Sequence, residues 1–433
     1  MISNLYFMTQ SRKKIVILGA GFAGLFALKS IYRHVRNWPA RNASHSEAGG
    51  RALDILIIDK NNYFVFTPLL HEVATGGIDP ADIVFPIRDL AKGQTEHLEA
   101  EVLSVDLIKK SVNTTKGEIF YDYLISALGA GTNFFGVDGA GEYSFTLKNI
   151  KDAQKLKNHL IHIFDEANNE KNLEHQKDIL RIVIIGGGAT GVELGAEIAE
   201  FLKEINKKYH NIPDEAVEFY LIESGDKLLP IFHPNFAKKA LKILEKKGFK
   251  VIFGDPCSQI TRQGIVCVSS KEIKSRTIIW TSGVLPSTVI TTPELYRQKG
   301  RIVVEQSLNL KDFPEVFVLG DQAAVADKKF GLLPTSAQVA TDEGNFIGKN
   351  ISLLISNKPL KSFHYFHKGD LVSIGKWWAL AQIGHGSLKF YGPIAWLFWR
   401  FNYLFKMPGM TKKIRLFLDW ILYFVSRRDT SEI

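Results

Sequence analysis

Lys13 to Gly24 reads KKIVILGAGFAG. Its apolar run, Ile15 to Leu18, predicts a buried parallel strand. The strand enters the turn Gly19-Ala20-Gly21-Phe22-Ala23-Gly24, and the apolar-periodic stretch Leu25 to Val35 predicts a helix after it. The G-x-G-x-x-G pattern thus stands between strand and helix, the context in which it binds a dinucleotide. Gly19 permits the tight turn, Gly21 lets the backbone approach a pyrophosphate, and Gly24 lets helix and strand pack closely. The anion sits at the helix N-terminus, where unpaired N–H groups and the helix dipole favour it. One such turn is a weak signal, but this chain contains two. Arg181 to Gly191 reads RIVIIGGGATG and repeats the pattern with Gly186, Gly188 and Gly191.

Each turn has an acid downstream at the end of a second predicted strand. Leu53 to Ile58 ends in Asp59, followed by Lys60; Val217 to Ile222 ends in Glu223. A carboxylate at this place accepts hydrogen bonds from ribose hydroxyls. Asp59 lies 35 residues beyond Gly24 and Glu223 lies 32 beyond Gly191, against about 20 in a standard unit. The polar loop 37–51 and the polar region 203–215 account for the excess. Glu223 suits an unphosphorylated 2′-hydroxyl and repels a 2′-phosphate, so NADH is favoured over NADPH although Lys227 lies nearby.

A length of 433 residues accommodates two or three domains. The net charge of +9 leaves nucleic acid or an anionic membrane surface as partners. The basic residues are scattered and no nucleic-acid motif appears, which favours the membrane. Two cysteines, Cys257 and Cys267, cannot make a disulfide framework and suit a reducing compartment. The first ten residues lack the charged and apolar regions of a signal peptide. No run reaches the ~18 apolar residues of a spanning helix. No metal-ligand pattern appears.

Tyr63 to Gly77 shows little periodicity; Thr67-Pro68 suits either a hydroxyl placed against a planar ring or a packed loop. Glu118 to Ala127 predicts a strand closing the first sheet, with Gly129 in the turn after it. Lys151 to Lys177 predicts a connecting helix and a surface loop, and Lys238 to Lys247 a solvated basic helix. Thr277 to Val284 predicts a buried strand ending in a turn at Gly283. Val316 to Asp321 predicts a strand ending at Gly320-Asp321, where a carboxylate reaches a ribityl or phosphate-side hydroxyl. Leu332 to Phe346 predicts a helix with Pro334 in its first turn; Gln338 and Asp342, four apart, share one face.

The tail is distinct. Tyr391 to Phe405 and Leu416 to Val425 are apolar and aromatic, with Arg400, Lys406, Lys412, Lys413, Arg415, Arg427 and Arg428 around and between them. Short apolar helices with basic flanks predict an interfacial membrane anchor, or a hairpin buried in a dimer interface.

Two dinucleotide sites imply two dinucleotides, FAD on the N-terminal unit and a nicotinamide cofactor on the inserted one. The fold expected is α/β: two Rossmann-like dinucleotide-binding domains plus a C-terminal amphipathic helical region. The divisions expected are 1–150 and 291–360 for the FAD domain, 151–290 for the NADH domain and 361–433 for membrane association. Ile15 to Gly24, PLLHEVATGG (Pro68 to Gly77), FPIRDL (Phe85 to Leu90), IIGGGATGVELGAEIAE, VFVLGD and LPTSAQVA, in this order, resemble type II NADH dehydrogenases. The resemblance runs from about Lys13 through the tail. It implies FAD as cofactor, NADH as donor, a membrane quinone as acceptor and no proton pumping. It also implies a homodimer held peripherally on the cytoplasmic face of the cell membrane by its two-helix C-terminus. Matched by position, Gln338 falls beside the flavin at the quinone site. Glu193 falls near the nicotinamide–flavin contact, and Lys376 falls near the quinone entrance.

Two departures stand out. Asp342 occupies the place of the family's second glutamine, and Leu128 replaces a threonine in Ala127-Leu128-Gly129. Quinone reduction consumes protons, which an acid supplies and an amide does not, so Asp342 is a candidate proton relay. Two rival readings remain. A sulfide:quinone oxidoreductase needs cysteines at the flavin, which the positions of Cys257 and Cys267 disfavour. A flavin-binding redox sensor or interaction protein at the membrane would not turn over quinone.

Overall fold

The β-rich runs around the first glycine turn fold as read. Lys13–Leu18, all buried beyond its first two residues, pairs in parallel with Leu53–Asp59 on one side and Tyr123–Ser126 on the other. The full sheet runs Val316–Val318, Tyr123–Ser126, Lys13–Leu18, Leu53–Asp59, Thr95–Glu99, all parallel. Strand order reverses at the glycine strand, the switch point where open α/β sheets bind ligands. This computed structural model describes residues 13–35, 53–91, 95–384, 388–425 and 428–432. The loop over 37–51 and the N-terminal stretch lie outside them, as does Arg427.

The chain divides into two compact units. One comprises Met1–Phe64, Phe85–Gly131 and Leu285–Tyr365; the other comprises Val65–Val84, Thr132–Val284 and Phe366–Ile433. The divisions drawn from the sequence at 150, 290 and 360 differ from these, and Val65–Val84 and the C-terminal region both join the nicotinamide-type unit.

In the first unit the glycine-turn helix, Phe22–Val35, packs along Ala337–Ile355. Small residues permit the approach: a Cβ on Gly344 would meet the Ala23 carbonyl and one on Gly348 the Ser30 backbone. Ser336, rather than Pro334, starts the second helix, its hydroxyl accepting the Val339 N–H at 3.3 Å. Glu118 to Ala127 is two strands, not one. Gly117–Phe120 joins a separate mixed sheet, and only Tyr123–Ser126 enters the parallel one.

The second unit repeats the plan. Its parallel sheet runs Phe249–Phe253, Phe219–Glu223, Ile182–Ile185, Thr277–Trp280. Ala189–Asn206 is the glycine-turn helix, buried along most of its length. The stretch after Tyr63, where no periodicity was legible, contains the short helix Leu70–Val73. A three-stranded antiparallel sheet, Gly369–Ser373, Ala379–Ile383 and Leu388–Gly392, leads into the helices Pro393–Lys406 and Met410–Val425. Among the described residues no helix is long and apolar enough to cross a membrane.

Candidate functional site

In the first unit, Gly19 has φ of +93°. Its absent side chain admits the Ala127 carbonyl, and that of Gly24 admits the Gly19 carbonyl. A Cβ on either would collide with backbone, so strand, turn and helix close up. Gly21 is different: a Cβ there would meet nothing within 4 Å. The middle glycine therefore faces open space at a helix N-terminus, the geometry of a pyrophosphate cradle. Asp59 braces the turn, one carboxylate oxygen accepting the Ala20 N–H at 2.7 Å and the other the Asn61 N–H at 2.8 Å. The oxygen that accepts Ala20 keeps a lone pair for a ribose hydroxyl, while the other also accepts the Asn61 side-chain amide at 3.4 Å. Lys60 next to it is exposed.

Gly320, at φ +67°, sits against Ala23 and Ala340. Gly19, Gly21, Gly24, Asp59, Gly129, Gly320 and Asp321 thus belong to one unit, with the turn at Gly320 beside the helix that carries Gln338 and Asp342. Two side chains in this arrangement escaped sequence reasoning. Buried Gln322 accepts from Ser126 and from the Leu128 N–H, each at 2.9 Å, and donates to the Ser287 carbonyl. It fixes the loop at Leu128. Glu343 is wholly buried, accepts the Gly320 N–H at 2.5 Å, and is pushed by burial up to about 8. Asp342 is only half-buried, so the dry carboxyl of this helix is its neighbour. Gln338 buries its amide nitrogen with no hydrogen-bond partner among the described residues, the condition of a donor reserved for a ligand.

The second unit's cradle has the same plan. Gly188 meets nothing within 4 Å, whereas a Cβ on Gly191 would strike the Gly186 carbonyl. Glu223 accepts the Gly187 N–H on one oxygen and the Gly225 N–H on the other, both at 2.7 Å. Thr281 donates to the Gly186 carbonyl at 3.1 Å, bringing the turn at Gly283 to the same cradle. Thr67 belongs to this unit too, exposed at the start of the turn Thr67–Leu69.

One turn further along the glycine helix, Glu193 is buried. Its Oε1 accepts the Ser373 N–H at 3.0 Å and the Trp399 indole N–H at 3.2 Å. Burial raises its pKa, and the His71 side chain and these two donors partly offset that. His71 packs edge-on against Trp399, ring centroids 5.8 Å apart, with its Nε2 buried and unpartnered among the described residues. Tyr403 lies against the same tryptophan at 4.8 Å, its phenol pushed up by burial. Two turns beyond Glu193, Glu200 accepts the backbone N–H of Lys376 at 3.0 Å. Glu193 therefore stands on the helix to which Lys376 is tied through its main chain. His71, Ser373, Trp399 and Tyr403 were not singled out from the sequence; the Pro68 to Gly77 motif was the available signal for His71.

The C-terminal helices clasp this motif. Glu72 accepts from Trp420 at 3.0 Å and pairs with Arg400 at 3.4 Å, whose guanidinium lies between Trp396 and Trp420. Arg428 is buried against Glu197 at 2.7 Å and Glu200 at 3.2 Å. The opposite faces of the same helices expose Ile394, Leu397, Phe398, Phe401 and Phe405, and Met410, Ile414, Phe417, Leu418 and Ile421.

Two glycine cradles, each braced by a carboxylate, define a flavoprotein of the two-dinucleotide class. Accordingly, residues 13–344 match the pyridine nucleotide-disulphide oxidoreductase family, and residues 367–429 match the NDH2 C-terminal domain. The type II NADH:quinone oxidoreductase of Staphylococcus haemolyticus is 31% identical over 373 residues, 85% of this chain and 89% of that protein. The one from Staphylococcus saprophyticus is 30% identical with the same coverage. An NDH2 of Plasmodium falciparum solved in complex with NADH shares the fold at TM-score 0.87 and 22% identity, over 97% of this chain and all of that one. A sulfide:quinone oxidoreductase from Aquifex aeolicus shares it at TM-score 0.71 and 17% identity, over 91% of this chain and 90% of that one. The chain belongs to the type II NADH:quinone oxidoreductases.

Proposed function

We infer that this protein oxidises NADH and passes the electrons to a membrane quinone, with FAD in the first unit and the nicotinamide in the second. The observation that carries this is the duplicated cradle: an open middle glycine at a helix N-terminus, and a carboxylate bracing the turn through a main-chain N–H at 2.7 Å in both units. When bound, FAD supplies the centre that accepts hydride and yields electrons in turn. The protein's residues bind and orient. Gly21 and Gly188 leave room for pyrophosphates, Asp59 and Glu223 receive ribose hydroxyls, and Asp321 serves the ribityl side. Gln338 offers its amide at the quinone site, and Glu193 stands near the nicotinamide–flavin contact. Asp342 is assigned proton delivery, and Lys376 the quinone entrance. Lys60, Thr67, Gly129 and Gly283 complete the cofactor surroundings.

The exposed apolar stripes of the two C-terminal helices, with Lys406, Lys413 and Arg415 among them, suit an anionic bilayer surface. The resemblance adds a homodimer on the cytoplasmic face. Purified protein should be yellow, bleach with NADH and recover its colour on adding a soluble quinone. A flavin that NADH reduces but quinone leaves reduced would favour a redox sensor. The sulfide-oxidising alternative lacks support, because Cys257 and Cys267 both lie in the nicotinamide-type unit.

A further inference from the structure

The two cysteines stand opposite one another. In the hairpin Cys257–Thr261 and Gly264–Cys267, Cys257 and Cys267 are directly paired across antiparallel strands. The Cys267 N–H bonds to Lys271, and the neighbouring pair is linked by the Val268 N–H to the Pro256 carbonyl. Cys257 and Cys267 are therefore a non-hydrogen-bonded pair, the closer of the two antiparallel types, ordinarily with Cα atoms ~4.5 Å apart; the register shifts just beyond them, between Cys257 and Gln259. That spacing is within the disulfide range of ~4.4–6.8 Å. Directly opposed residues project to the same face, and both side chains are buried in one apolar cluster with Ile185, Ile222 and Trp280. These three residues immediately precede Gly186, Glu223 and Thr281 of the nicotinamide cradle.

We propose that Cys257 and Cys267 form a cross-strand dithiol site which a low-molecular-weight disulfide oxidises to a single intramolecular bridge, stapling the floor of the nicotinamide cradle. One thiolate attacks the S–S bond of the reagent, giving a mixed disulfide and one free thiol. The second thiolate attacks the protein sulfur of that mixed disulfide and releases the second thiol. The two cysteines lose two electrons, the reagent disulfide gains them, and both cysteine protons end on the released thiols. Burial holds both thiols protonated, Cys257 at about 11. Asp255 beside Cys267 acts in the same direction, and Lys271 opposes it. The site therefore stays reduced at neutral pH on short exposure and reacts faster as pH rises.

The test uses the full chain with flavin bound, equilibrated at pH 8.5 in mixtures of reduced and oxidised glutathione. The protein is then acid-quenched, unfolded, alkylated and weighed. The expected product has lost two hydrogens and takes no alkyl group. It should form at a glutathione ratio ~100-fold more reducing than the same chain needs in urea, the factor that pre-closing a loop of this length brings. Trp280 fluorescence should fall with bridge formation, and the thermal midpoint should rise by ~5 °C. Cys267→Ser should show neither change, stop at a glutathione adduct, and oxidise NADH at the rate of the reduced wild type. A native chain that oxidises no more readily than the unfolded one, or that ends as a glutathione adduct, overturns the proposal.

Discussion

Trp399 donates its indole N–H to the Glu193 carboxylate at 3.2 Å, joining the first C-terminal helix to the glycine helix of the nicotinamide-type unit. The bond favours the ionised acid, whereas burial favours the neutral one. In Trp399→Phe the ring stays and the donor goes, so Glu193 should titrate higher, because a hydrogen bond to the charged form is lost. A pH profile of quinone reduction reads this as an upward move of its acidic limb. A limb that stays in place would mean that Glu193 is not the group being titrated.

NADH should exceed NADPH in kcat/KM by roughly 100-fold, because a 2′-phosphate would face the Glu223 carboxylate. Glu223→Gln removes the charge and should narrow the ratio about tenfold, chiefly through the KM for NADPH. Equal use of both cofactors by the wild type would remove the role given to Glu223.

Asp342→Gln puts an amide in place of the carboxyl one turn from Gln338. If Asp342 relays protons, the variant should slow the quinone half-reaction and keep the NADH half-reaction unchanged. Rapid-mixing measurements of both half-reactions across pH decide it; superimposable profiles would leave Asp342 as neutral variation.

Glu343 makes a separate prediction about stability. Its folded pKa, raised to about 8 from an ordinary 4.5, favours the protonated form. The stability this gives is complete below pH 4.5 and is lost as pH rises through about 8. Glu343→Gln keeps an acceptor for the Gly320 N–H and removes the titration. Between pH 5 and 9 the variant should gain on the wild type, by at most ~5 kcal/mol. Urea unfolding at several pH values checks this, and a pH-independent difference would contradict it.

Deleting 391–433 would remove Trp396, Trp399 and Arg428, all buried in the second unit, so loss of binding after truncation would report unfolding. Substitutions on the outward stripes avoid this. Leu397→Glu with Phe401→Glu should lower partitioning into anionic vesicles by at least ~100-fold, since each large apolar side chain contributes about 1.5–3 kcal/mol. High salt should weaken wild-type binding only in part. Undiminished sedimentation of the folded double variant with vesicles would exclude this face as the anchor.

Much of this architecture was legible because its signals are local. Each glycine turn can be read within a dozen residues, and Asp59 and Glu223 follow from where the next strand ends. Asp342 was legible by helical spacing, yet spacing does not say which of two adjacent acids is dry. Burial of Glu343 depends on the packing of Ala337–Ile355 against Phe22–Val35. The Pro334 start failed because Ser336 offers a capping hydroxyl, which outweighs proline's preference for a first turn.

By itself, then, the sequence determined the duplicated strand–turn–helix cradles, the choice of cofactors they suit and the amphipathic character of the tail, since these rest on periodicity and on residues close along the chain. Only the tertiary structure decided that Ser373 and Trp399, 180 and 206 residues away, meet one oxygen of Glu193. It alone set Arg428 among the acids of the glycine helix and put Cys257 opposite Cys267. Such partners are chosen when apolar faces close and buried polar groups must find donors, and no local pattern carries that information.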